Sequence, residues 1–519
     1  TNFLGLVEAA NLVGGSYEHT LESVADVKQW MRMIAYRHVI MDWDAFGFHR
    51  GKNMFLYRPA EGRFQLLPWD VDYGLATEGP LEYGQQPLSR QWWHDPFDVQ
   101  NMNVTKRMVD YPAFRRYYWQ ALYNAVHGPM QNAVLDPIMD EVQAALLGQG
   151  VFGKSPSALI TDGDGLSLKT WITSRRNYLL GEMSTVTNVA FNIATASFTT
   201  SSNLASIAGT APIQDVILML NGKPVKPAWS SPTAWSLNIA LTAGVNQVQM
   251  IGCDAEGTPI AGHSDSIQIT CNATPEQPQD CLVINEIMYH PGAGGTGFIE
   301  IYNRSAATTF DLYRYRLDGV DFTFETSTLI LPGQYLVISS DPIAFIQHYG
   351  NGIPVAGRWA GSLDNGGEWL RLQKLNDLDE VELEVDAVKY NDKAPWPAGA
   401  DGLGMSLQLI DAGEDNNRVG NWAADAGTPC TPGAANSVAA DLPAFPEVWI
   451  NDIQPDNTGT LANAAGLYTP WLELYNAGSS PFACDGYYLT DDYDNLTKWA
   501  LPSISIGAAG FQVIWADSA

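Results

Sequence analysis

The sequence predicts a multidomain chain, α+β over its first part and all-β after it, and three observations carry that reading. Apolar residues recur at helical spacing up to about residue 187 and alternate with polar ones beyond it. From there, turn residues return roughly every 8–12 positions, as they do in serial β-sandwiches. A stretch beginning near residue 282 also reappears near 448, so part of the β region is written twice. A chain of 519 residues is too long for a single core.

Within the first part, Ser23 with Asp26 three residues on resembles a capping box. Val24, Val27, Met31 and Ile34 follow at helical spacing and predict a helix running to about Met41. The stretch NMFLYRPAEGRFQLLPWDVD reads as a β-hairpin, two aromatic-rich strands joined by PAEG. Three amphipathic stretches come next: YPAFRRYYWQALYNAVHG behind Pro112, LDPIMDEVQAALLGQG, and SLKTWITSRRNYLLGEM. They predict a mainly helical unit with a small sheet over 1–187.

Beyond it, VAFNIATAS, DVILMLNGKPV, WSLNIALTAGVNQVQMIGCDAEG and SIQITC alternate and predict an immunoglobulin-like sandwich over 188–272. The polar linker NATPEQPQD closes it. Residues 281–436 read as another all-β unit, and the pattern restarts at 448: VWINDIQPDNTG echoes LVINEIMYHPGAGG, and WLELYNAGSS echoes FIEIYNRSAA. The second copy ends at Ala519 after its first half, and the chain starts at Thr1 rather than Met, so the sequence reads as a mature product or a fragment.

Charge narrows the partners. The formal net charge is −29, and residues 281–519 hold 31 Asp/Glu against 10 Lys/Arg. So acidic a surface repels nucleic acid and anionic lipid, which excludes them as favoured partners. No apolar run approaches the roughly 18 residues of a membrane-spanning helix. The five cysteines, Cys253, Cys271, Cys281, Cys430 and Cys484, form no CxxC pair, which argues against zinc. Bridges such as Cys253–Cys271 or Cys281–Cys430 would suit an extracellular or cell-surface setting.

The repeated segments carry a resemblance. V-I-N-E-I, F-I-E-I-Y-N, D-N-G-G-E-W-L-R-L, V-K-Y-N-D-K-A-P-W-P, D-G-L-G-M-S-L-Q-L and the closing G-T-P…P-G-A-A-N are similar to the lamin-tail domain. The likeness covers 281–436, and 448–519 as a truncated second copy. It implies compact immunoglobulin-like sandwiches serving as binding modules, without catalysis.

A second resemblance lies in 1–187. WMRMIAYRHVIMDWDAF, NMFLYR, GRFQLLPWDVDYG, YPAFRRYYWQAL and W-I-T-S-R-R-N-Y-L look, in that order, like the kinase-like family of spore coat protein H, CotH. It implies a mostly helical kinase-like lobe using Mg²⁺ and ATP. By the same resemblance, Asp44 matches the catalytic aspartate, Asp70 a metal-binding aspartate, and Asn53 and Asp72 further metal ligands. Hard oxygen donors suit Mg²⁺, and alternation in an extended 70–72 segment would put both carboxylates on one side. The apolar Leu66–Trp69 run would anchor them. Asp42 competes with Asp44 for the catalytic role. His38 and His49 flank the segment and read as surface or core residues, and Arg175 and Arg176 as phosphate contacts or as surface or ion-paired residues.

One departure stands beside this. The family's nucleotide-binding portion should precede Ser23, yet only 22 residues stand there, with no glycine-rich loop, and Lys28 falls within the predicted helix. ITDGDG (160–165) and TDDYDN (490–495) are further cation candidates, the second for Ca²⁺, each also readable as a solvated turn. Asn103, Asn272, Asn303 and Asn495 begin N-x-S/T sequons. Two functions remain open: a secreted atypical kinase acting on extracellular or envelope proteins, and a non-catalytic surface or filament protein that partners other proteins or its own copies.

Overall fold

The computed structural model describes residues 3–12, 17–40, 42, 53–59, 62–71, 103–151, 155, 157, 167–350, 352–353, 355–493 and 495–516. The first unit holds α1 (Phe3–Asn11), α2 (Tyr17–Val24), α3 (Val27–Val39), the antiparallel hairpin β1 (Met54–Tyr57) and β2 (Gln65–Pro68), α4 (Asn103–Asp110), α5 (Pro112–His127), α6 (Asn132–Gly148) and α7 (Leu168–Thr187). Its core places Trp30, Met31 and Ile34 of α3 with Phe114, Tyr118 and Leu122 of α5 and Ile172 and Leu179 of α7. Apolar side chains at i, i+3 and i+4 give each helix one buried face.

The helix expected to start at Ser23 is broken. Ser23 closes α2, its hydroxyl donating to the Thr20 carbonyl at 2.7 Å, and the cap of α3 is Asp26, which accepts from Gln29 N at 3.1 Å. The break exists because β2's approach captures the backbone: Asp26 N donates to Phe64 O at 2.9 Å and Phe64 N to Val24 O at 2.8 Å.

Residues 192–271 form two facing sheets, one of five strands and one of four, around Ile207, Trp235, Val248 and Ile269. This sandwich is fastened to the helical unit by Arg116 of α5. Its buried guanidinium donates to the carbonyls of Ala211 (3.1 Å), Pro212 (2.7 Å), Pro232 (2.6 Å) and Asp215, and stacks over Trp229 at 3.9 Å.

The next unit has a six-stranded sheet ordered Val355–Arg358, Tyr335–Ser339, Phe298–Asn303, Leu282–Met288, Leu407–Leu409, Trp422–Ala423, with a four-stranded sheet built on Trp369–Leu375. It is not all-β, as expected, because α8 (Pro342–Tyr349) interrupts it. Asp341 caps α8 and proline stands at its first position. The chain then restarts the sheet with Val448–Gln454, Trp471–Asn476 and Phe511–Trp515. Both copies carry the same one-residue bulge: Ile284↔Ile301 is followed by Glu286↔Glu300, and Ile450↔Leu474 by Asp452↔Glu473. The skipped asparagine reaches the facing glutamate each time, Asn285 to Glu300 at 2.8 Å and Asn451 to Glu473 at 2.7 Å.

All five cysteines are free thiols, against the bridges expected from sequence. Cys271 pairs with Gly244 at one end of a strand pair and Cys253 with Pro259 at the other. The strand between them spans about 30 Å, far beyond disulfide reach.

Candidate functional site

The site is built where the C-terminal end of α3 meets the open end of the β1–β2 hairpin. α3 holds the hairpin through two polar side chains on one face. Gln29 behaves like an added strand edge, donating Nε2 to Leu66 O at 2.7 Å and accepting Leu66 N at 3.0 Å. Trp30 Nε1 donates to Phe64 O at 2.8 Å. The apolar run expected to anchor the aspartates does so only through Leu66, which is 1% exposed, whereas Trp69 is 59% exposed. Hydrogen bonding to α3 supplies the rest of the anchoring.

Arg37 is the centre of the site, 6% exposed beside Asp42 at 1%. Its guanidinium pairs with the Asp42 carboxylate and also donates to the carbonyls of Asn53 (2.8 Å), Trp69 and Asp70 (3.4 Å). One cation therefore ties both ends of the hairpin to the segment after α3. A buried charge is tolerated only with such pairing and hydrogen bonding.

Asn53 and Asp70 stand next to each other in this arrangement, since Trp69 N donates to Asn53 O at 3.1 Å just beyond the last strand pair. Both are in the left-handed region, at φ 59° and 50°, a conformation that asparagine and aspartate tolerate better than most residues. The chain turns at Asp70, so the alternation argument that put Asp70 and Asp72 on one side does not hold there. Asp44, Asp72 and His49 lie outside the described residues, as do residues 160–165.

The other expected residues take structural places. His38 Nδ1 is bonded to the Tyr118 hydroxyl, and burial, with Arg175 adding to it, pushes its pKa well below the usual histidine range. Arg175 is buried and Arg176 half-buried, and among the described residues neither is ion-paired. Arg175 donates to His38 O (3.0 Å) and Val39 O (3.4 Å) at the end of α3, and Arg176 to Val126 O (2.7 Å) at the end of α5. Each neutralises the negative end of a helix. Lys28 is exposed on the first turn of α3. Asp491, in the acidic 490–495 turn, pairs with Lys498, and Asn303 is fully buried, donating to Thr308 O and Ile330 O. A sequon there is unavailable to a glycan.

Arg37 is the residue that sequence reasoning missed. It lies inside the family-like stretch WMRMIAYRHVIMDWDAF, and a basic residue on the buried face of α3, five before an aspartate, was its one signal. Among the described residues, no cluster of three or more His, Cys, Asp or Glu is arranged to hold a metal, and no helix is long and apolar enough to cross a membrane. Asn53 and Asp70, whose backbones meet at one hairpin end, carry the side-chain oxygen donors that a hard divalent cation takes.

Comparison with known proteins agrees with both resemblances. Residues 1–179 match the family described as CotH kinase protein, and residues 275–392 the Lamin Tail Domain. No curated protein matches the chain. Among solved structures, it is similar to fibronectin(III)-like modules of Clostridium thermocellum CbhA at 15% identity, covering 16% of this chain and 96% of that one, with a TM-score of 0.13. A DUF4876 family protein from Bacteroides thetaiotaomicron shares 12% identity over 41% of this chain and 85% of that one, with a TM-score of 0.19. The Bacteroides ovatus mixed-linkage glucan utilization locus protein SGBP-B, solved with a heptasaccharide, shares 15% over 36% and 50%, with a TM-score of 0.12. At such TM-scores these likenesses carry no weight for fold or ligand.

Proposed function

We propose, from the premise that this chain carries a CotH kinase-type domain at 1–179 and a lamin tail domain at 275–392, that it transfers a phosphoryl group from Mg²⁺-ATP to a hydroxyl of an extracellular or envelope protein. The observation that carries the reading is the Arg37 hub, which holds Asn53 and Asp70 side by side at one end of the hairpin. Asn53 and Asp70 would hold the cation through side-chain oxygens, with Asp72 as a further ligand. A cation held there would supply charge to offset that of the phosphate oxygens. Asp44 would orient the acceptor hydroxyl and take its proton. Arg37 fixes the backbone of both ligand-bearing turns, so the donors need little reorganisation. The lamin tail unit would position the protein substrate.

The test is the full chain incubated with γ-labelled ATP, Mg²⁺ and an envelope-protein fraction. Label should enter protein, and Asp70→Ala and Asp44→Asn should each abolish it. Label transfer that survives Asp70→Ala would remove the reading.

A further inference from the structure

The closed end of the β1–β2 hairpin faces the lamin tail unit, roughly 13 Å along the strands from the Asn53–Asp70 end. Between the two units lies a cavity of about 450 Å³ whose charged lining is His19, Glu22, Arg58, Arg63, Asp341 and Arg358. It is shaped by the approach of α1 and α2 to α8, so close that a Cβ at Gly5 would sit 2.7 Å from Gln347 Nε2.

Both carboxylates in this lining are already engaged. Glu22 accepts from the Tyr117 hydroxyl at 3.1 Å and pairs with Lys226, while Asp341 accepts Ile343 N (3.0 Å) and Ala344 N (3.1 Å) as the cap of α8. The arginines are placed by backbone carbonyls: Arg58 Nε donates to Gly62 O at 2.8 Å, Arg63 to Glu22 O at 2.9 Å, and Arg358 Nε to Ser340 O at 2.9 Å. Among the described residues neither Arg58 nor Arg63 pairs with a carboxylate. Each guanidinium has five N–H donors, so one such bond orients the fork and leaves its other edges to a ligand. His19 Nε2 is buried with no hydrogen-bond partner among the described residues. In a chain of net charge −29, a cavity with three guanidiniums and an unused buried imidazole nitrogen is a local reversal of sign.

We propose that this cavity binds a phosphoryl group, with Arg58 and Arg63 as its direct ligands and His19 Nε2 as a third donor. Forked guanidiniums match the tetrahedral oxyanion better than any point charge. The site lies between the helical unit and the lamin tail unit, with Arg358 on the opposite wall. The site stands apart from the metal-ligand candidates and does not depend on their chemistry.

The experiment is a ³¹P NMR titration of the full chain, in excess chelator, with inorganic phosphate in one arm and phosphoserine in the other. Saturable broadening is expected, and Arg58→Ala or Arg63→Ala should each weaken it about tenfold, the effect of losing one charge-assisted bond. Tighter binding of phosphoserine assigns the site to a phosphorylated protein side chain, and equal or tighter binding of phosphate assigns it to the free ion. Arg63 is exposed, so its variant keeps the wild-type melting temperature and reports binding alone. Absence of saturable broadening in both arms, or wild-type affinity in both variants, overturns the proposal.

Discussion

The guanidinium of Arg37 and the carboxylate of Asp42 form a buried ion pair at the end of α3, and the same guanidinium holds the Asn53 and Trp69 carbonyls from opposite sides of the hairpin mouth. Stability and site geometry therefore meet in one side chain. Removing one partner of a buried pair leaves an uncompensated charge, at a cost of about 3–5 kcal/mol. Asp42→Ala should lower the unfolding free energy by about that amount. Arg37→Met also strands three carbonyls, so the pair is read from a cycle: Arg37→Met with Asp42→Leu should cost less than the two single variants added together. Urea denaturation monitored on the helical unit measures all three, and additive losses would contradict the pairing.

Glu286 and Glu300 face each other across the bulged strand pair, both fully buried. Ser406 and Thr431 donate to the first, Asn285 and Gly433 to the second. Burial pushes Glu286 up to about 7, and burial with the Glu286 charge pushes Glu300 up to about 8; burial likewise raises Asp386 to about 7. A carboxyl raised in this way binds its proton more tightly folded than unfolded. Its stabilising contribution is full below the ordinary carboxylate range and is lost as pH rises through the folded value. The lamin tail transition in calorimetry should therefore move to lower temperature between pH 5 and 9. Glu300→Gln should flatten the slope, and a transition that rises across that range would contradict the burial.

Arg116 is the joint between the helical unit and the first sandwich. Burial lowers its pKa to about 9, yet it is still protonated at neutral pH and saturates four carbonyls. Arg116→Met keeps the stem over Trp229 but strands those carbonyls, at about 1–3 kcal/mol for a buried unsatisfied group. Limited proteolysis should then cut near residues 187–191 faster than in the wild type.

Gly209 is required by packing rather than by backbone angle. A Cβ there would lie 2.0 Å from Asn192 O and 2.5 Å from the Trp235 ring. Gly209→Ala should destabilise the sandwich by about 1–3 kcal/mol, the usual cost of overpacking, read as a lower urea midpoint of the full chain.

How much of this was legible in the sequence follows from the range of each interaction. The switch near residue 187 from helical to alternating periodicity was readable because it is local, and so was the repeat, whose Asn285 and Asn451 bulges copy each other. The helix α8 was not, since eight residues between strands give little periodicity. Ser23 looked like a cap because its spacing to Asp26 fits, but Phe64, far along the chain, decided where α2 ends. Of the site, Asn53 and Asp70 were named from the family-like motif and stand together. Arg37 offered one local signal, Asp42 five positions on, because its other partners are backbone carbonyls 16, 32 and 33 positions away.

The most direct test of the account is the affinity of the full chain for Mn²⁺, read by the EPR signal of the free ion without ATP, which would itself chelate the ion, because Mn²⁺ replaces Mg²⁺ at oxygen sites. The account predicts one saturable site that Asp70→Ala and Asn53→Ala each weaken at least tenfold, with Lys28→Ala unchanged. Unaltered Mn²⁺ affinity in Asp70→Ala would contradict the assignment of the hairpin mouth as the metal-binding end of the fold.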